Sequence, residues 1–306
     1  MTASKTSHGS PIDRLLGDPD LTYFDGRYWL YATNDGVEGW VNSTINAFSS
    51  TDLVTWVDHG VALDSVATVS WERVKARTWA PAVLHLADRH VIYTAEDGNI
   101  AAAVSASPAG PFVDVGAPLV PAGSLPGYQI DPAVLRFADE WWLLWGNGVA
   151  HMAPLGADGV TLDLGRLHSW TPTGFTEAID IKERDGIFHA TWSVGDTRKP
   201  DYRVAYATAP SPFGPWSDRG LLLEARPEAG ILSTGHHSIL QVPHTDEWII
   251  AYHRWAGEDG AGWRRESMFA EVTFVDGVMQ PVVPSHDWYR LELPEWQAPF
   301  EERTGQ

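Results

Sequence analysis

Apolar and polar residues alternate over short distances along this chain. Tyr28-Trp29-Leu30-Tyr31, Trp141-Trp142-Leu143-Leu144 and Trp248-Ile249-Ile250-Ala251-Tyr252 are rich in aromatic and β-branched residues, and clusters of Gly, Pro, Asp and Asn separate such runs. That punctuation marks strands ended by turns. Long stretches with an apolar period of 3.6 residues, the mark of amphipathic helices, are missing. An all-β fold is therefore expected.

The strands recur in a fixed setting. A turn containing Asp precedes an apolar strand at Asp25-Gly26, Asp88-Arg89, Asp139-Glu140, Asp185-Gly186 and Asp246-Glu247, five copies spaced 46 to 63 residues apart. A second marker repeats as Ser107-Pro108-Ala109-Gly110-Pro111-Phe112 and Ser211-Pro212-Phe213-Gly214-Pro215-Trp216. Five hairpin-rich units of this size predict a five-bladed β-propeller with four antiparallel strands per blade. A two-sheet sandwich has no need of five equivalent units. No Gly/Ser linker or charge block divides the chain, so a single domain over residues 1–306 is expected, with tails at 1–12 and 292–306.

Composition narrows the partners. With 21 Lys+Arg against 40 Asp+Glu the formal charge is -19, which argues against a nucleic-acid partner. An acidic surface suits a neutral ligand. No apolar run approaches the roughly 20 residues of a membrane helix, and the start MTASKTSHGSPIDRLL has no apolar core of a signal peptide. No membrane partner and a cytoplasmic location are therefore expected; the oligomeric state is not legible. The absence of Cys excludes disulfides, zinc-thiolate sites and thiol catalysis. The 16 Trp are a surplus. Most are expected to pack between blades, but an indole also stacks on the weakly amphipathic face of a sugar.

The chemistry stands just before each repeated turn. Upstream of the five Asp turns lie Asp18-Pro19, Trp79-Ala80-Pro81, Asp131-Pro132, Glu177-Ala178 and Gly235-His236-His237. Equivalent positions on the innermost strands of a propeller ring one mouth of its channel. Asp-Pro alone is a common turn dipeptide. Three carboxyl groups converging on one pocket are another matter, because like charges raise one another's pKa and keep at least one protonated. Glycoside hydrolysis needs that combination: one carboxyl protonates the leaving oxygen and another activates water or attacks the anomeric carbon.

At these residues the chain resembles the family 43 glycoside hydrolases, five-bladed propellers acting on arabinan, xylan and some galactan side chains. The resemblance runs from about Asp18 to Pro284. Its markers are Asp18-Pro19-Asp20 with Asp25-Gly26-Arg27-Tyr28-Trp29, then Ser50-Thr51-Asp52-Leu53-Val54-Thr55-Trp56 and Thr78-Trp79-Ala80-Pro81. They continue through Ile130-Asp131-Pro132, Glu177, Gly235-His236-His237-Ser238, Tyr252-His253-Arg254 and Arg264-Arg265-Glu266. The resemblance implies roles: Asp18 as general base, Glu177 as general acid, and Asp131 as the third carboxylate that holds Glu177 and keeps its pKa high. It implies inversion at the anomeric carbon, with a base-to-acid separation of roughly 6.5–9.5 Å. Trp79 and Ala80 would line the sugar pocket. Trp40, read from its place in the Gly36–Trp40 loop of blade one, is expected as a rim platform. Arg265, or the adjacent Arg264, would bind sugar hydroxyls and the carboxylates. His236, with His237 beside it, would stand near the channel centre and help hold a largely hydrated calcium ion; no cofactor is required for the chemistry.

Two departures bear on substrate. Many members carry Glu-Gly-Pro at the acid, where this chain has Glu177-Ala178-Ile179-Asp180. The segment Asp196–Tyr202 looks like a loop inserted on the pocket side. The expected activity is inverting, exo-acting release of a terminal pentose, α-L-arabinofuranose or β-D-xylose, from a neutral oligosaccharide. A β-galactosidase of the same family and a catalytically inactive sugar-binding propeller are the alternatives. Propellers that cleave fructosides use an Asn-Asp-Pro nucleophile and a Glu-Cys acid, which the Gly17-Asp18-Pro19 context and the lack of Cys disfavour.

Overall fold

A computed structural model of the chain describes residues 10–71, 76–258 and 260–287. Blade one consists of β1 (Leu16–Phe24), β2 (Arg27–Asn34), β3 (Thr44–Ser50) and β4 (Val57–Asp64). After the short α1 (Ser65–Thr68), blade two follows as β5 (Thr78–His85), β6 (His90–Glu96), β7 (Asn99–Ser105) and β8 (Val113–Asp114). Blade three is β9 (Ala133–Phe137), β10 (Glu140–Trp145), β11 (Ala150–Pro154) and β12 (His168–Trp170). Blade four is β13 (Glu177–Arg184), β14 (Ile187–Val194), β15 (Arg203–Ala209) and β16 (Ser217–Leu223). Blade five holds β17 (Gly235–Gln241), β18 (Trp248–Trp255) and β19 (Arg265–Val272), and the hairpin β20 (Phe274–Val275) and β21 (Val278–Met279) follows it.

The expected five-bladed propeller is what forms, with sequential antiparallel strands in every blade. The fourth strand holds for blades one to four; the described sheet of blade five has three. The Asp turns are the hairpins between first and second strands. Three of them place two successive residues at positive φ, at Asp25-Gly26, Ala138-Asp139 and Asp185-Gly186, the backbone that suits a twisted two-residue hairpin. The Ser-Pro marker links third and fourth strands in blades two and four, each time through a cis Gly-Pro bond.

Second strands carry the large aromatics. Trp29, Trp142, Trp192 and Trp248 are all buried there, so the Trp surplus is mostly blade packing. The core is five apolar clusters, one for each pair of adjacent blades. The cluster that closes the ring joins Leu21, Leu30 and Phe48 of blade one to Val242, Ile249 and Phe269 of blade five. Ile12 belongs to it, and Ser10 Oγ donates to the Ser267 carbonyl at 3.0 Å. Residues 10–12, expected in a tail, are thus part of the fold because Ile12 fills the closing seam; the rest of both expected tails, 1–9 and 292–306, lies outside the described residues. No helix among the described residues is long and apolar enough to cross a membrane.

Candidate active site

One backbone feature, repeated five times, builds the site. Near the start of each inner strand an extra residue breaks the register with the second strand: between Gly17 and Asp20, Trp79 and Ala82, Glu177 and Asp180, and Gly235 and His237. Blade three follows suit, since Gly146 N–H bonds Ile130 O while Ala133 pairs with Leu144. Each bulge carries one residue at positive φ: Asp18 (52°), Ala80 (49°), Asp131 (58°), Ala178 (56°) and His236 (37°). Asp tolerates this left-handed region better than most residues; elsewhere it costs of order 1 kcal/mol. Neighbouring blades clasp the bulges. Thr33 Oγ1 accepts the Ala80 N–H at 2.8 Å, Ser193 Oγ accepts that of His236 at 3.0 Å, and His253 Nδ1 accepts that of Asp18 at 3.3 Å.

The bulges refine the equivalence read from the sequence. Asp18 and Asp131 sit on the bulge, whereas Glu177 stands one residue ahead of it, the position of Trp79 in blade two. Gly17, Ile130 and Gly235 occupy that position in the other blades. The two glycines leave space for side chains from elsewhere: a Cβ on Gly17 would lie 2.3 Å from the Arg265 guanidinium, and one on Gly235 2.2 Å from the Tyr202 ring.

Asp18, Asp131, Glu177, Trp40, Trp79, His236 and Arg265 line one cavity of about 460 Å³. Ala80 does not; it is buried at the bulge, and Trp79 ahead of it supplies the surface. Trp79 Nε1 donates to the Trp40 carbonyl at 2.9 Å and Trp40 Nε1 to that of Gly262 at 2.8 Å, so both rim indoles are fixed. The Asp196–Tyr202 segment reaches the site as expected, with Asp196, Thr197 and Arg198 on the cavity wall. Asp180 lies outside that cavity and accepts the Ile239 N–H at 3.1 Å.

Arg265, not Arg264, is the buried arginine of the site. Its Nη1 and Nη2 donate to Asp18 Oδ1 and Oδ2 at 2.6 and 3.0 Å. Its Nε and Nη2 also donate to Asp35 Oδ2 and Oδ1 at 2.6 and 2.9 Å. The guanidinium therefore serves two carboxylates, as expected for one of them, and also lines the cavity. Asp35, His253, Asn147 and Tyr202 are the site residues that sequence reasoning did not assign. The signals for them were Asp35 directly after the first aromatic strand, His253 within the Tyr252-His253-Arg254 marker, Tyr202 at the end of the Asp196–Tyr202 segment, and a Gly ahead of two bulges.

The three carboxyl groups differ electrostatically. Burial lifts Asp18, but the Arg265 guanidinium, with His236 and His253 beside it, prevails and holds it well below the usual carboxylate range. Burial raises Glu177, and hydrogen bonds from Tyr202 and Asn147 offset part of the rise. Burial, then the charges of Glu177 and Asp18, push Asp131 well up. His236 Nδ1 lies 3.2 Å from Asp18 Oδ1 and 3.5 Å from Asp131 Oδ2. His253 is driven down to about 3 by burial and stays neutral. Its Nδ1 accepts the Asp18 N–H, which places its proton on Nε2, 3.2 Å from Thr197 Oγ1.

His237 turns away from the cavity and meets Thr191 Oγ1 at 2.6 Å. Among the described residues no three His, Asp or Glu groups are arranged to ligate a metal directly.

Two buried carboxyl groups facing one cavity, one with its pKa held down by a guanidinium and one pushed up by burial, are the kind of pair that glycoside hydrolysis needs. The chain matches the family described as Glycosyl hydrolases family 43 over residues 10–279, and it belongs to that family. It is 30% identical over 299 residues to the beta-D-galactofuranosidase xynD of Aspergillus niger, covering 92% of this chain and 86% of that one. It is 28% identical to the arabinoxylan arabinofuranohydrolase of Bacillus subtilis, over 90% of this chain and 64% of that one. The crystal structure of a thermostable family-43 glycoside hydrolase superposes with a TM-score of 0.77 at 25% identity, covering 95% of this chain and 98% of that one.

Proposed function

We propose that the protein is an inverting, exo-acting furanosidase that releases a terminal α-L-arabinofuranosyl residue from a neutral oligosaccharide. The observation that carries this reading is that Asp18 and Glu177 line one cavity with opposite environments, Asp18 clamped by the Arg265 guanidinium and Glu177 pushed up by burial. Asp18 takes a proton from a water, whose oxygen bonds to the anomeric carbon on the face opposite the aglycone. Glu177 gives its proton to the glycosidic oxygen as the carbon–oxygen bond breaks, and the aglycone leaves as an alcohol. Asp18 ends protonated and Glu177 ionised, and exchange with solvent restores both. Asp131, buried beside Glu177, opposes the loss of that proton before substrate arrives.

The furanose ring is favoured over a pyranose because both curated relatives described above are named for furanosides. β-D-Galactofuranose shares the ring configuration of α-L-arabinofuranose and adds one hydroxymethyl carbon. A terminal β-D-galactofuranosyl residue is therefore the second reading, supported by the Aspergillus niger relative. A panel of nitrophenyl α-L-arabinofuranoside, β-D-galactofuranoside, β-D-xylopyranoside and β-D-galactopyranoside tests both. Hydrolysis of a furanoside that disappears in Asp18→Ala and Glu177→Ala, with the inverted anomer first seen by NMR, is the expected result. Turnover of the pyranosides alone would reject the furanoside, and sugar binding without turnover would reject the enzyme reading.

A further inference from the structure

Both oxygens of Glu177 are held, and by groups that only donate or can donate. Tyr202 O–H reaches Oε1 at 2.7 Å and Asn147 Nδ2 reaches Oε2 at 2.9 Å. The two donors are themselves fixed. The Tyr202 ring is fully buried, lies nearly parallel to that of His253 with centroids 5.7 Å apart, and fits only because residue 235 is Gly. Asn147 is pinned in the β10–β11 turn by two backbone bonds with Tyr128.

We propose that Tyr202 and Asn147 are positioning residues that aim the Glu177 carboxyl and set how readily it releases its proton. The inference rests on Glu177 being the general acid. Negative charge appears on its oxygens only as the proton moves to the leaving group, and a hydrogen bond donated to a charged acceptor is about twice as strong as one to a neutral acceptor. The two bonds therefore tighten in the transition state, which is where binding accelerates a reaction. They oppose the burial that would otherwise hold the proton too firmly. The charged and titratable groups around Glu177 are Asp131, Asp18, Arg265, Arg198 and the Tyr202 hydroxyl itself. Tyr202→Phe and Asn147→Ala leave the other four in place.

The test compares aglycones. A dinitrophenyl group leaves with little help from an acid, whereas an alkyl alcohol needs a proton. In Tyr202→Phe and Asn147→Ala, kcat/KM for an alkyl furanoside should fall about ten-fold further than for the dinitrophenyl furanoside. The alkaline limb of the alkyl profile should move up by roughly half to one pH unit, since each variant loses a bond that stabilises the ionised acid. Equal loss on both aglycones with an unmoved limb would overturn the inference. Asn147→Ala keeps the test open should Tyr202→Phe fail to fold, as checked by its thermal melt. Glu177→Gln is the reference: if it shows no aglycone dependence, the reading of Glu177 fails and this inference with it. If it does and the two variants do not, this inference fails alone.

Discussion

Arg265 grips Asp18 through two parallel hydrogen bonds, Nη1 to Oδ1 at 2.6 Å and Nη2 to Oδ2 at 3.0 Å, while its other edge is held by Asp35. One buried cation thus stands between two buried carboxylates. Lys cannot span both, because it lacks the planar fork. Arg265→Lys should destabilise the protein by about 3 kcal/mol, the usual result of leaving a buried charge poorly paired. Activity should fall at least about 100-fold, because Asp18, the proposed general base, loses its orientation. Chemical denaturation and kcat/KM measure the two effects; a variant within about 1 kcal/mol of the parent would contradict the shared clamp.

Gly17 tests the same relationship without touching a functional group. Its φ is not positive, so Ala suits the backbone, yet the added Cβ would lie 2.3 Å from the guanidinium. Gly17→Ala should displace Arg265 and lower kcat/KM by about 100-fold, the usual penalty for a displacement of about 1 Å. Unchanged kinetics would show that Arg265 can move freely, against its fourfold bonding.

On the proposed roles of Asp18 as base and Glu177 as acid, the pH profile follows from the two carboxyl groups. The base works only when ionised and the acid only when protonated, so activity spans the interval between their pKa values. Asp18 is held down and Glu177 is pushed up. The bell in kcat/KM should therefore be broad, its acid limb below and its alkaline limb above the values of ordinary carboxyl groups. A narrow bell with both limbs in the ordinary carboxylate range would contradict these environments.

Trp79 and Trp40 are bonded in series, so their contributions should not add. Trp79→Ala removes the proposed sugar face and also the donor to the Trp40 carbonyl. A loss of about ten-fold in kcat/KM is expected, of the size of one aromatic contact, with most of it recovered in Trp79→Phe. The double variant Trp40→Ala/Trp79→Ala should lose less than the product of the single losses. Strict additivity by a double-mutant cycle would show that the two rings act independently.

Asp20 gives a stability test away from the chemistry. It lines the opposite end of the channel, accepts the Val83 N–H at 2.8 Å, and is pushed by burial up to about 7. Its folded value lies above the unfolded one, so the folded chain keeps a proton that the unfolded chain has lost. Stability from this group falls as pH rises from about 4 to about 7 and is level beyond. Asp20→Asn keeps an acceptor for Val83 and cannot ionise. It should match the parent near pH 4.5 and exceed it at pH 8 by roughly 1–2 kcal/mol, a figure reduced because water in the channel screens the charge. An equal difference at both pH values would locate the effect elsewhere.

The sequence displayed the propeller and the three carboxylates because both depend on local repetition. The Asp turns and aromatic second strands recur in every blade, and the acids precede them at nearly constant distance. Asp35, His253, Asn147 and Tyr202 lie on second-strand ends and connecting loops. They reach the site through contacts such as the one between Asp35 and Arg265, 230 residues apart, and no local pattern records those. The expectation for Ala80 failed for a related reason. Both Trp79 and Ala80 are expected on the pocket, but Ala80 sits on the bulge and is buried while Trp79, one residue ahead of it, reaches the cavity.

The five bulges make the mouth of this propeller a frame of interchangeable sockets. Each blade offers a pair of adjacent positions, one ahead of the bulge and one on it, with the same backbone whatever side chains stand there. Chemistry fills some: Glu177 ahead of its bulge, Asp18 and Asp131 on theirs. Gly17 and Gly235 are left vacant for neighbours, and Trp79 forms a wall. Ile130 is the remaining socket ahead of a bulge, apolar, nearly buried and on the cavity lining. Trimming or enlarging that one side chain would alter the room around the sugar while leaving the acid, the base and their supports untouched. On the proposed roles, exchange at this one socket would change substrate range without rebuilding the ring that holds Asp18 and Glu177.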